Sequence, residues 1–113
     1  WHVPTDKEWQ MLVDYLGGPS VAGAKLKESG TTHWNSSNNG EGNNESGFTA
    51  LPGGFRIPTS SPYDGIGIVS YFWTSTESNN MDAFWWGLYF SMPIAIRLTD
   101  TKNSGLSIRC VKD

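Results

Sequence analysis

The chain is expected to be α+β: helices first, long irregular loops next, and a small twisted antiparallel sheet last. Three observations predict this. A capped amphipathic helix stands near the start, over residues 5–16. A polar stretch rich in Asn, Ser and Gly occupies residues 30–47. The second half is a series of aromatic and β-branched runs separated by turn residues. Helices followed by strands, without β-α-β alternation, give a helical layer packed on an antiparallel sheet.

The first helix is the clearest element. Thr5 and Glu8 form a Thr-x-x-Glu capping box directly after Pro4. Trp9, Leu12, Val13 and Leu16 then fall at i, i+3, i+4 and i+7, one apolar stripe. Gly17 and Gly18 end it. Pro19 and Ser20 restart the chain, and residues 21–28 read as a short second helix, weakened by Gly23. Residues 30–47 are too long for a turn and form a structured surface loop anchored by His33 and Trp34. A Pro-Gly-Gly turn is expected at 52–54 and a further loop at 58–67. Strands are expected at 68–75, 82–91, 94–99 and 106–111.

Composition bounds the function. With 113 residues the chain is a single domain, 1–113, and its 6 Trp, 5 Phe and 4 Tyr can fill a real core. A net charge of -3 argues against a nucleic-acid protein, although Arg97, Lys102, Arg109 and Lys112 are four of the eight basic residues. No apolar run approaches the ~20 residues of a membrane span, so no membrane insertion is expected within this chain. The single cysteine, Cys110, allows no internal disulfide and no thiolate-rich metal site.

Catalysis finds little support. There is no Gly-x-Ser-x-Gly elbow. His2 lies beside Trp1, which is expected to be buried, and His33 in a polar loop, both positions where histidine is ordinarily structural. Glu77 is read as bonding turn amides, and Asp6 as a first-turn acid favoured by the helix dipole. No cofactor is expected. Calcium is the one ion the Asn35–Ser46 loop would suit, through Asn35, Asn38, Asn39, Glu41, Asn43, Asn44 and Glu45, but EF-hand spacing is absent. Asn35 and Asn44 each begin an N-glycosylation sequon.

Aromatic display is the strongest functional lead. Along Asp82 to Ser91, alternation puts Phe84, Trp86, Leu88 and Phe90 on one face and Ala83, Trp85, Gly87 and Tyr89 on the other. One set faces the core; the other displays either Trp85 with Tyr89, or Trp86, the alternative being that both tryptophans simply fill the core of a small domain. Sugars stack on such rings while neighbouring polar groups orient their hydroxyls. Arg97, Asp100, Lys102 and Asn103 follow on the adjoining strand and loop. An arginine beside an exposed ring would suit a carboxylated or sulfated glycan.

Four segments carry a resemblance: WHVPTDKEW (1–9), GFTALPGGFR (47–56), WTSTE (73–77) and GLSIRCV (105–111). Together they resemble the Fibrobacter succinogenes major paralogous domain, which looks like a branch of the C-type-lectin-like and formylglycine-generating-enzyme-like superfamily. The resemblance covers nearly the whole chain. It implies two helices, long loops, a small twisted sheet and a bacterial source. It also implies further sequence before Trp1, including a strand that pairs with the last one, so the chain is read as excised from a longer protein. A cysteine preceding Trp1 would then pair with Cys110; the alternative is a buried reduced thiol. The superfamily's oxidase needs two cysteines for copper, which this chain lacks, and the lectins' calcium-site motifs are absent. The resemblance further implies that Gly87 stands where relatives carry a large aromatic residue, making a shelf beside Trp86.

These readings lead to a non-catalytic carbohydrate-binding module of a secreted or cell-surface bacterial protein. Trp85, Trp86 and Tyr89 would stack on the sugar, with Arg97, Asp100, Lys102 and Asn103 giving polar selectivity. The alternative is a protein-interaction or adhesion module using the same face.

Overall fold

A computed structural model describes residues 1–59 and 62–113. Helix α1 spans Asp6–Tyr15 and carries the expected capping box. Thr5 Oγ1 accepts from the Glu8 amide at 3.2 Å, and the Glu8 carboxylate accepts from the Thr5 amide at 2.8 Å. The helix stops where Gly17 and Gly18 take φ of +106° and +96°, a region other residues rarely enter. Helix α2 spans Pro19–Leu26, two residues earlier at each end than expected. Pro19 is not a spacer but the first helical residue, where its missing amide donor is no loss. Gly23, read from the sequence as a weakness, is a packing requirement. A Cβ there would lie 2.0 Å from the Ile94 carbonyl oxygen, and the Ala24 amide donates to Pro93 O at 3.0 Å.

Strands β1 (Gly53–Phe55), β2 (Asp64–Ile66), β3 (Val69–Glu77), β4 (Asp82–Tyr89) and β5 (Ala95–Thr101) form one sheet in the order β2-β1-β3-β4-β5. The sheet is mixed rather than antiparallel, because β1 runs parallel to β3 through Gly54 and Ser70. The Pro-Gly-Gly segment thus supplies a strand as well as a bend. Of the loop expected at 58–67, residues 60 and 61 lie outside the described residues, and residues 64–66 form β2. The strand expected at 106–111 does not form. Ser107 alone joins β3, its amide donating to Tyr71 O at 2.9 Å and its carbonyl accepting from Trp73 at 3.0 Å. Beyond Trp73 that edge of β3 is taken by Pro4, whose carbonyl accepts from the Ser75 amide at 2.9 Å, and the chain peels away until Val111 pairs with His2.

Both helices pack on one face of the sheet. Trp9 and Val13 of α1 and Ala22 and Leu26 of α2 bury against Phe72, Trp86, Leu88 and Ala95. Trp34 closes the core from the long loop, its indole donating to Ala50 O at 2.9 Å. Lys27 lies at the junction of these parts, 1% exposed. Its ammonium donates to the carbonyls of Gly40, Tyr89 and Met92 and faces the Trp34 ring at 5.4 Å. Burial pushes its pKa down to about 8. Among the described residues, no helix is long and apolar enough to cross a membrane.

Candidate functional site

The second face of the sheet carries no helix. Register determines what it presents: Trp73 pairs with Trp85, Tyr71 with Gly87 and Val69 with Tyr89, while Trp85 pairs with Leu98 and Ala83 with Asp100. Directly paired residues share a face, so Tyr71, Trp73, Trp85, Tyr89, Leu98 and Asp100 all lie here. Tyr71 is the hub of an aromatic strip. Its ring centroid is 4.3 Å from Trp85, 5.3 Å from Phe55 and 5.9 Å from Tyr89. Burial, then the neighbouring Tyr89 hydroxyl, raises the Tyr71 pKa, so the phenol stays a neutral donor.

Gly87 makes the strip possible. A Cβ there would meet Trp85 Cζ3 at 2.5 Å and Tyr71 Cδ1 at 2.9 Å. The space a side chain would take is filled by two rings lying across the strand. The shelf therefore belongs to Trp85 and Tyr71, and not to Trp86 as the resemblance implied.

The predicted site residues separate into three groups. Trp85, Tyr89 and Asp100 share the helix-free face, with Tyr89 half-buried and Trp85 only 6% exposed. Trp86 lies on the opposite face, 3% exposed within the core. The expectation that a tryptophan is displayed is corrected on both counts: Trp86 is core, and Trp85 lies beneath its neighbours with its indole nitrogen unpartnered among the described residues. Arg97 is on the Trp86 face and is already engaged. It forms a two-nitrogen fork on the Asp6 carboxylate, Nε and Nη2 at 2.8 and 2.7 Å, and stacks 3.9 Å from the Phe84 ring. The hydrogen bonds to Asp6 raise its pKa further. Asp6 Oδ1 also accepts from the Trp86 indole at 3.1 Å, so Asp6 ties α1 to the sheet as well as facing the helix dipole.

Lys102 is likewise paired, with Glu77 at 2.6 Å and with Asn80 O at 3.0 Å. Among the described residues Glu77 bonds no turn amide; Asn79 Oδ1 does, accepting from Met81 and Asp82 at 2.8 and 2.9 Å. Asp100 and Asn103 line a depression with Asn80 and Met81, beyond the Trp85 end of the strip. Tyr71, Trp73 and Phe55 were missed as site residues. The alternation Tyr71-Phe72-Trp73 was visible, but only pairing with β4 shows which of these rings join Trp85.

Trp1 is exposed rather than buried, and neither histidine is free. The His2 ring lies between Asp113 at 2.7 Å and Glu8 at 2.9 Å, and His33 faces Glu28 at 2.9 Å. In the Asn-rich loop, Asn43 Oδ1 accepts from the Glu45 amide and Asn44 Oδ1 from the Thr49 amide. Glu45 faces Lys25 at 3.7 Å. Among the described residues no three His, Cys, Asp or Glu side chains gather where they could hold a metal ion. Cys110 is an exposed free thiol rather than a buried one.

No curated protein and no solved structure matches the chain significantly. A family match, by contrast, runs almost from end to end: residues 1–112 align with the Fibrobacter succinogenes major domain, and the capping box, the WTSTE strand and the C-terminal segment all lie within it. The chain belongs to the Fibrobacter succinogenes major domain family.

Proposed function

We propose that this chain is a non-catalytic carbohydrate-binding module of a secreted or cell-surface bacterial protein, on a C-type-lectin-like variant of the α+β fold. The observation that carries this reading is the aromatic strip Phe55–Tyr71–Trp85–Tyr89 on the face of the sheet that the helices leave uncovered. Half-buried Tyr71, Tyr89 and Phe55 offer ring edges and hydroxyls to a sugar, and Trp85 backs them. Asp100 and Asn103 at the end of the strip supply acceptors and an amide for hydroxyl groups.

The same geometry favours a neutral polysaccharide. The preference for acidic or sulfated glycans rested on Arg97 and Lys102, and both cations are matched to Asp6 and Glu77. The carboxylates beside the strip, Asp100 at one end and Asp64 opposite Phe55 at the other, would repel an anionic chain. Protein interaction has separate support in an apolar groove on the other side of α1.

The test is retardation of the domain in gels containing neutral, uronic or sulfated polysaccharides, with calcium and with EDTA. Binding to a neutral polymer, insensitive to EDTA and lost in Tyr71→Ala and Tyr89→Ala variants that still unfold cooperatively, is the expected result. Binding confined to sulfated or uronic polymers would overturn the neutral assignment. Retention by none of them would overturn the carbohydrate reading.

A further inference from the structure

A predominantly apolar concavity lies away from the aromatic strip. It lies between α1 and the C-terminal segment, has a volume of about 440 Å³ and opens to solvent. Trp9 and Phe48 form its floor, their ring centroids 5.6 Å apart. Leu12 and Met11 wall it from α1, and Val111 walls it from the other side. Met11 is 62% exposed and Val111 40% exposed, so the walls continue outward as apolar surface. Exposed apolar surface around a concavity is a feature of binding sites.

One cation is set at the rim. The Arg109 guanidinium sits 4.5 Å from the Phe48 ring centroid. No carboxylate faces it among the described residues, whereas Arg97, Lys102 and Lys25 each have one. A guanidinium held by a ring, rather than by an acid, keeps its donor fork available. The groove's own acid is occupied: the Glu8 carboxylate accepts from the Thr5 amide and from His2 Nε2. The Trp9 indole nitrogen is buried and unpartnered among the described residues, which makes the floor a sensitive reporter of any occupant.

We infer that this groove docks a peptide segment presenting a bulky apolar side chain next to a carboxylate. The apolar side chain lies on Trp9, Phe48 and Leu12, and the carboxylate forks onto Arg109. An open groove suits a chain passing across it, and a flexible Met11 wall adapts to different side chains. Trp, Phe, Met and Arg are also enriched at protein interfaces, Trp and Arg among the residues that carry most of the binding energy. The site is separate from the aromatic strip, being built from α1, Phe48 and residues 109–111.

The probe is the blocked tetrapeptide acetyl-Ser-Phe-Glu-Ser-amide, titrated into the ¹⁵N- and methyl-labelled 113-residue chain and followed by NMR. Saturable shifts of the Trp9 indole N–H and Met11 methyl signals are expected. Affinity should fall at least tenfold when Gln replaces Glu in the peptide, or Ala replaces Phe, and to a similar degree in Arg109→Gln. Met11→Ala, at an exposed position, provides a second variant with the same expectation of weaker binding. Tyr71→Ala should leave this binding intact, which separates its outcome from that of the carbohydrate reading. The inference is overturned by no saturable shift at millimolar peptide, or by equal affinity for the Gln peptide. It is equally overturned if protein concentration alone moves the same signals, which would assign the groove to a second copy of the chain.

Discussion

Lys27 shows how one side chain can hold together parts of the chain that sequence keeps far apart. Its ammonium reaches Gly40 in the long loop, Tyr89 at the end of β4 and Met92 in the following turn. Three N–H donors meet three backbone carbonyls, and an orphaned buried polar group costs roughly 1–3 kcal/mol. Lys27→Met keeps the apolar stem but leaves all three acceptors without this donor. A loss of about 3 kcal/mol in urea unfolding is expected; a change below about 0.5 kcal/mol would show that the carbonyls find other partners. Nothing in the sequence marks Lys27 as buried, because the residues that neutralise its burial are backbone atoms 13 to 65 positions away. Arg97 was hidden in the same way. Its placement beside aromatic residues was legible, but its Asp6 partner lies 91 residues earlier. Sequence reading offered it to a ligand, and the fold had already used it.

Elements governed by local chemistry were the legible ones. The capping box of α1 needs only Thr5, Glu8 and the amides between them, and it forms as read. Thr5→Ala removes the acceptor for the Glu8 amide and is expected to lower stability by about 1 kcal/mol, measured as a shift in urea midpoint at unchanged m-value. An unchanged midpoint would mean that the Thr76 hydroxyl, which takes the Asp6 amide at 3.0 Å, is enough to hold the helix start. Strands β3, β4 and β5 were legible for a related reason: each is a continuous run whose neighbour in sequence is its neighbour in the sheet. β1 and β2 were not, being three residues each and dependent on a parallel contact with β3. The segment 106–111 has the alternation of a strand, but Pro4 already takes the stretch of the β3 edge it would extend along. The aromatic faces of β4 were separable in sequence, yet which face was core depended on where α1 docks.

At the scale of the whole molecule, the two ends of the described chain close on α1. His2 and Val111 exchange backbone hydrogen bonds at 2.9 and 2.8 Å, and the His2 ring bridges Asp113 and Glu8. This clasp also forms one side of the apolar groove, since Glu8 and Val111 both line it. The hydrogen bond to Asp113, then that to Glu8, raises the His2 pKa above its ordinary 6.5. The Thr5 amide, then His2, lowers the Glu8 pKa below its ordinary 4.5. The two shifts act on opposite sides. Because folding raises the histidine value, its contribution is complete below pH 6.5 and is lost as pH rises through the folded-state pKa. Because folding lowers the Glu8 value, its contribution is complete above pH 4.5 and is lost as pH falls through the folded-state pKa. Both are complete together only between 4.5 and 6.5. The melting temperature of the wild type relative to His2→Gln should therefore be greatest in that window and decline above it. The His2 Cε1–H resonance should titrate above 6.5 in the wild type and return toward 6.5 in Asp113→Asn, the largest single cause being removed. A difference in melting temperature that stays constant from pH 4 to 9 would show that the clasp is held by its backbone pair alone, with the ring charge irrelevant to closure.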